Sequence, residues 1–121
     1  MAKLYFNTRD ELSCIETDMI AVVKADGNYS QVVYITRKEV TLTTGISKLE
    51  TILKSYNGKK NRFIRLGRSI IVNHSYLTKI DILKQILLLS DNCKNEIKVT
   101  IPKNLLKSYK NAIAKNIKER E

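Results

Sequence analysis

Two runs rich in Val, Ile and Tyr, residues 20–25 and 29–36, are separated only by Asp26-Gly27-Asn28. β-Branched and aromatic side chains suit strands. Gly and Asn tolerate the positive φ of a tight turn. The pattern predicts a β-hairpin, and with it a chain organised around antiparallel sheet. Leu4-Tyr5-Phe6 is a candidate first strand, and residues 18–21 read as a brief turn. In residues 39–43, Val40 and Leu42 alternate with polar side chains, as on a half-buried strand. Residues 77–83 and 85–90 read as paired strands, and 97–101 as another.

The period changes twice. Ile46, Leu49, Ile52, Leu53 and Tyr56 recur at helical spacing, which predicts a helix over 46–56. Ser47, with Glu50 three residues on, is a candidate capping box, and Asn57-Gly58 supplies the stop. Leu105, Leu106, Tyr109, Ile113 and Ile117 trace one face of a second, basic helix over about 103–119. Its other face carries Lys107, Lys110, Lys115 and Lys118. Such a face is more often solvated than bound to phosphate. The expectation is a mainly β chain of several short antiparallel sheets, with one internal helix and a C-terminal helix. A single domain over residues 1–121 is the simplest organisation, because one proline and four glycines mark no linker.

At 121 residues the chain can bury a core without disulfides or metal. An apolar fraction of 43% with 28% charged residues fits a globular protein. It has no apolar run of the ~18 residues needed to span a bilayer. The N-terminus shows no cationic segment followed by an apolar core, so a cytoplasmic setting is expected. Cys14 and Cys93 form no CxxC pair and read as reduced, inert thiols.

The net charge of +10 is unevenly placed. Residues 1–58 hold seven Lys/Arg and seven Asp/Glu, whereas 59–121 hold fifteen and five. No acid occurs between Glu50 and Asp81. A one-sign surface attracts a polyanion: nucleic acid, an anionic membrane surface or an acidic protein. The bland alternative is that the charge only aids solubility. Chemistry-bearing motifs are missing. His74 is the sole histidine, and neither a Gly-rich phosphate loop nor a GxSxG elbow occurs. His and Cys show no metal-ligand spacing. Asp10 and Glu11 are adjacent, so their side chains diverge on regular structure, and Asp26 is explained by its turn. Neither an enzyme nor a cofactor-binding protein is expected.

Residues 59–73 are different. Lys59, Lys60, Arg62, Arg65 and Arg68 are five basic residues in ten, interleaved with Phe63, Ile64, Leu66, Ile70 and Val72. The apolar residues can fix the backbone to a core, leaving Arg62, Arg65 and Arg68 to project. A guanidinium fork reads a guanine edge only from a positioned backbone. Gly67 permits a tight bend, Ser69 can donate a hydrogen bond, and Asn73 can donate one or cap a turn. A membrane role fits poorly, because the charges do not line one amphipathic helix. Exposed aromatic platforms for single-stranded RNA are not evident, since Tyr29, Tyr34 and Tyr56 fit strand or helix core positions as well.

The run Phe63-Ile64-Arg65-Leu66-Gly67-Arg68-Ser69-Ile70-Ile71-Val72-Asn73 resembles the F-x-R-x-H-R-S-x-x-V-N signature of LytTR-type DNA-binding domains. Upstream, Lys24-Ala25-Asp26-Gly27-Asn28-Tyr29 resembles the family's E-A-D-G-N-Y hairpin. Thr100-Ile101-Pro102-Lys103 falls where the family has a third motif, commonly P-V-S-R. The resemblance implies a mainly β bacterial transcription regulator that reads the major groove of double-stranded DNA through loops. It implies contacts from Tyr29 or Ser30, from Arg65 and Arg68, and from Lys103. Ser69 and Asn73 match motif positions, with Asn73 holding the loop together. Two departures stand out. Gly67 replaces the family's histidine, and Pro102 and Lys103 replace its serine and arginine. Lysine keeps the charge and loses the fork, which favours phosphate over base edges. A homodimer on paired sites and an upstream signalling partner are expected. Such domains commonly follow a receiver domain, and no Asp-rich phosphoacceptor module fits in this length, so a stand-alone or excised domain is expected. The rivals are an adaptor for an acidic protein and an RNA-binding protein.

Overall fold

The computed structural model describes residues 3–58 and 61–117, with side chains to residue 115. Lys59, Lys60 and Lys118, and the expected end of the second helix at 118–119, lie outside the described residues, as does the side chain of Ile117. The chain forms two compact units, residues 1–75 and 76–121. Among the described residues the architecture is mainly β, with three antiparallel sheets and two α-helices.

In the first unit, β1 (Lys3–Asn7) pairs with β2 (Leu12–Glu16). A 3-10 turn over Thr17–Met19 leads into β3 (Ile20–Asp26). This strand forms the expected hairpin with β4 (Tyr29–Tyr34). Only Gly27 takes a positive φ in the turn, +60°. β5 (Glu39–Leu42) follows, then α1 (Ile46–Asn57), β6 (Phe63–Leu66) and β7 (Ile70–Asn73). The five-stranded sheet has the order β5-β4-β3-β7-β6, so the segment after α1 returns to pair on the free edge of β3. The unbroken apolar run Ile20-Ala21-Val22-Val23 fits that central place, with all four residues buried.

Helix α1 covers one face of this sheet. Ile46, Leu49 and Leu53 form a core with Val23, Val32, Leu42, Phe63 and Ile71. Each such side chain, fully removed from water, contributes roughly 1.5–3 kcal/mol. The helix ends as expected, with Gly58 at φ +55° donating its N–H to the Lys54 carbonyl. It starts at the expected residue, but the capping box does not form. Ile46 is already helical, so the cap position falls on Gly45, which has no side chain to bond the first turn. Ser47 and Glu50 therefore cannot act as a capping box. They face β6 instead.

In the second unit, β8 (Leu77–Asp81), β9 (Ile86–Ser90) and β10 (Glu96–Thr100) form a sheet of order β10-β9-β8. Helix α2 (Lys103–Ile117) follows. Its face is laid out as the spacing predicts: Leu106 and Tyr109 are buried, Leu105 and Ile113 half-buried, and Lys107, Lys110 and Lys115 exposed. Among the described residues, no helix is long and apolar enough to cross a membrane.

Candidate nucleic-acid interface

The basic motif is a hairpin. β6 and β7 pair from Phe63↔Asn73 to Leu66↔Ile70, leaving Gly67-Arg68-Ser69 as the turn. Gly67 has φ +68°, a conformation that costs most L-residues about 1–2 kcal/mol. β7 pairs with β3 as far as Lys24↔Ile70, and the Ala25 N–H donates to the Ser69 carbonyl at 2.8 Å. This register brings the β6–β7 turn beside the β3–β4 turn at one end of the sheet. The Ser30 hydroxyl, fully buried, donates to the Thr44 carbonyl at 2.6 Å, which ties the β3–β4 hairpin to the segment entering α1.

The expected site residues divide by position. Tyr29, Arg68 and Ser69 are exposed on or next to the two turns, Tyr29 at 49%. The Arg68 side chain has no hydrogen-bond or ion-pair partner among the described residues. Gly67 and Arg65 belong to the same end, and Ser30 lies beneath it. Arg62 lies at the other end of the hairpin. With four strand residues between, its Cα is roughly 17 Å from that of Gly67. Its guanidinium donates to the Ser75 hydroxyl at 3.3 Å. Asn73 is at that far end too, 4% exposed. Its Nδ2 donates to the Ile20 carbonyl at 2.8 Å, and its Oδ1 accepts from the Ser75 N–H at 3.0 Å. Lys103 opens α2 in the second unit.

Arg65 does not project with the other two arginines. A strand repeats every two residues, so Arg65 shares the α1-facing side with Phe63. Its Nη1 donates to Glu50 Oε1 at 2.9 Å, with side-chain exposures of 20% and 23%. Nε donates to the Gly67 carbonyl at 3.0 Å and Nη2 to the Arg68 carbonyl at 2.7 Å. The Ser47 hydroxyl accepts longer bonds of 3.4 and 3.5 Å. Sequence reasoning missed Lys24, exposed on β3 one step from the turn. Its signals were a charge interrupting an apolar run and its place at the head of the Lys24–Tyr29 run. No group of three or more His, Cys, Asp or Glu among the described residues could hold a metal ion.

Comparison with known proteins supplies a family. The model of the LytTr DNA-binding domain family matches residues 10–114, a span that includes parts of both units. In structure, the chain is similar to the LytTr DNA-binding domain of a methyl-accepting/DNA response regulator from Bacillus cereus. The two share 21% sequence identity over 95% of each chain, with a TM-score of 0.57, so the likeness is one of fold. No curated protein matches in sequence.

Proposed function

Because the chain belongs to the LytTR family of DNA-binding domains, we propose that it is a transcription regulator that binds duplex DNA sequence-specifically, with the β6–β7 and β3–β4 turns entering the major groove. The observation that carries this reading is Arg68, exposed and unpartnered on a turn whose backbone is held from inside. A guanidinium in that setting can bond a guanine edge bidentately. Tyr29 and Ser69 flank it as further contacts. Arg62 and Lys103 bind phosphate, where charge suffices. Gly67 shapes the turn, and Asn73 anchors the far end of its hairpin. Ser30 acts from beneath by fixing the β3–β4 hairpin. Both units work as one DNA-binding domain, without catalysis or cofactor, in the cytoplasm. A homodimer on paired sites and an upstream signalling partner complete the proposal. Of the large apolar side chains exposed among the described residues, Tyr5, Leu12, Tyr56 and Leu83 lie away from the two turns, Ile64 lies on β6, and Tyr29, which carries a polar hydroxyl, is the one beside a turn.

The test is selection of bound duplexes from a random pool, followed by footprinting. At the selected site, Arg68→Ala is expected to cost on the order of 1–3 kcal/mol and to relax preference at one base pair. Unchanged affinity and preference would remove Arg68 from the interface. If about five phosphates are neutralised, log affinity falls with log salt at a slope of roughly −4 to −5. A flat salt response would rule out the electrostatic part.

A further inference from the structure

We infer that Arg65 is a positioning residue, held by Glu50 of α1, that fixes the direction in which Arg68 leaves the β6–β7 turn and makes no DNA contact of its own. The consequence for DNA rests on the reading above. The geometry itself is that of the free protein.

A guanidinium carries five N–H donors. Arg65 makes five short or moderate contacts, to the Gly67 and Arg68 carbonyls, to Glu50 and twice to Ser47. In the free protein every donor is turned to the protein itself, the two to Ser47 at the long limit of a hydrogen bond and the other three firmly. The Glu50 carboxylate compensates the charge in a pair that is largely removed from solvent. Ser47 and Glu50 are three residues apart on α1 and so share one helix face. Arg65 is therefore joined to the helix by two side chains, and through its Cα to the edge strand.

The two carbonyls are the ones that matter for Arg68. The Gly67 carbonyl belongs to the peptide preceding the Arg68 Cα, and the Arg68 carbonyl to the peptide following it. One guanidinium thus fixes both peptide planes around that Cα, and with them the launch direction of its side chain. A lysine could not do this, because an ammonium is a point donor without the planar fork. Arg65 acts on recognition through Arg68, and Glu50 acts through Arg65.

The test uses Glu50→Gln and Arg65→Gln in the full chain. Backbone NMR relaxation of the free proteins is expected to show larger-amplitude motion at Arg68 and Ser69 in both variants. With DNA, the ratio of affinities for the selected duplex and a scrambled duplex is expected to fall roughly ten-fold in both, the scale of losing one charge-assisted hydrogen bond. Glu50→Gln removes an acid facing a polyanion, so electrostatics alone would tighten binding to every duplex. A loss of preference without a loss of scrambled-site affinity separates positioning from charge. Arg65→Gln is expected to keep the wild-type salt slope, whereas a phosphate contact would lower its magnitude by about 0.9. Wild-type order at the turn in both variants would overturn the inference, and so would a changed slope or uniformly tighter binding by Glu50→Gln. If Glu50→Gln does not fold, Ser47→Ala is the second variant, with the same readouts. Should the wild-type chain prefer no duplex, the DNA reading fails by itself, and the relaxation data still decide whether Arg65 holds the turn.

Discussion

Replacing Asn73 by alanine tests the internal frame without touching the turn. The amide is 4% exposed and makes two bonds, Nδ2 to the Ile20 carbonyl and Oδ1 from the Ser75 N–H. Each hydrogen bond contributes about 1 kcal/mol net, and a buried partner left without its bond adds about 1–3 kcal/mol. The Ile20 carbonyl lies at the start of a strand whose first four residues are buried, so water cannot easily replace the lost donor. The expected cost is about 2–4 kcal/mol. For a domain of this size, that lowers Tm by roughly 8–16 °C. In urea, the midpoint of the far-UV circular dichroism transition is expected to fall by about 1–2 M with unchanged slope. Asn73→Asp keeps the acceptor, loses the donor and sets a carboxylate against the Ile20 carbonyl, so it is expected to be at least as destabilised near neutral pH. Well below its melting temperature, the alanine variant should retain wild-type affinity for the selected duplex within about two-fold, because Asn73 lies at the far end of the hairpin. A midpoint shift under about 0.3 M, or an aspartate variant as stable as wild type, would refute the two-bond account.

Gly67→Ala places a side chain at φ +68° and is expected to cost about 1–2 kcal/mol in urea titration, with Gly67→Asn costing less. Leu53→Ala, at a fully buried position of α1, is expected to cost about 2–5 kcal/mol by the same measurement. Burial raises the Tyr109 phenol above its ordinary value of 10.0. Its contribution to stability is thus complete below about pH 10 and is lost as pH rises further, where the unfolded chain ionises and the folded chain does not. The difference in stability between wild type and Tyr109→Phe should be constant from pH 7 to 9 and shrink or reverse above pH 10. A difference independent of pH would contradict it.

Most elements were legible in the residues because the signals were local. Asp26-Gly27-Asn28 between two β-branched runs could only be a hairpin, and Asn57-Gly58 ended α1 where expected. β2 escaped notice for a physical reason. In Leu-Ser-Cys-Ile-Glu the apolar Leu12 and Cys14 are exposed while Ile15 is buried, so the strand has no clean alternation of burial with polarity. The basic motif was found, but its geometry was hidden. Three arginines at spacing three suggest one projecting row. The chain there is a two-residue-period strand ending in a turn, which sends Arg65 inward, Arg68 onto the tip and Arg62 to the far end. Likewise, Ser47 and Glu50 have capping-box spacing, yet the cap falls two residues before Ser47, at Gly45, which frees them to meet an arginine eighteen and fifteen positions away.

The inward carbonyls of the β6–β7 turn have an electrostatic corollary. In a trans peptide the C=O and the following N–H point in opposite directions. With the Gly67 and Arg68 oxygens directed at Arg65, the positive ends of those two dipoles, at the Arg68 and Ser69 amides, are aimed away from the helix. An oncoming polyanion therefore meets a favourable field from the main chain even before the Arg68 side chain is counted. On the proposed reading, replacing the residue at position 68 would change the base preference at this tip, while the turn itself would still attract the backbone of DNA.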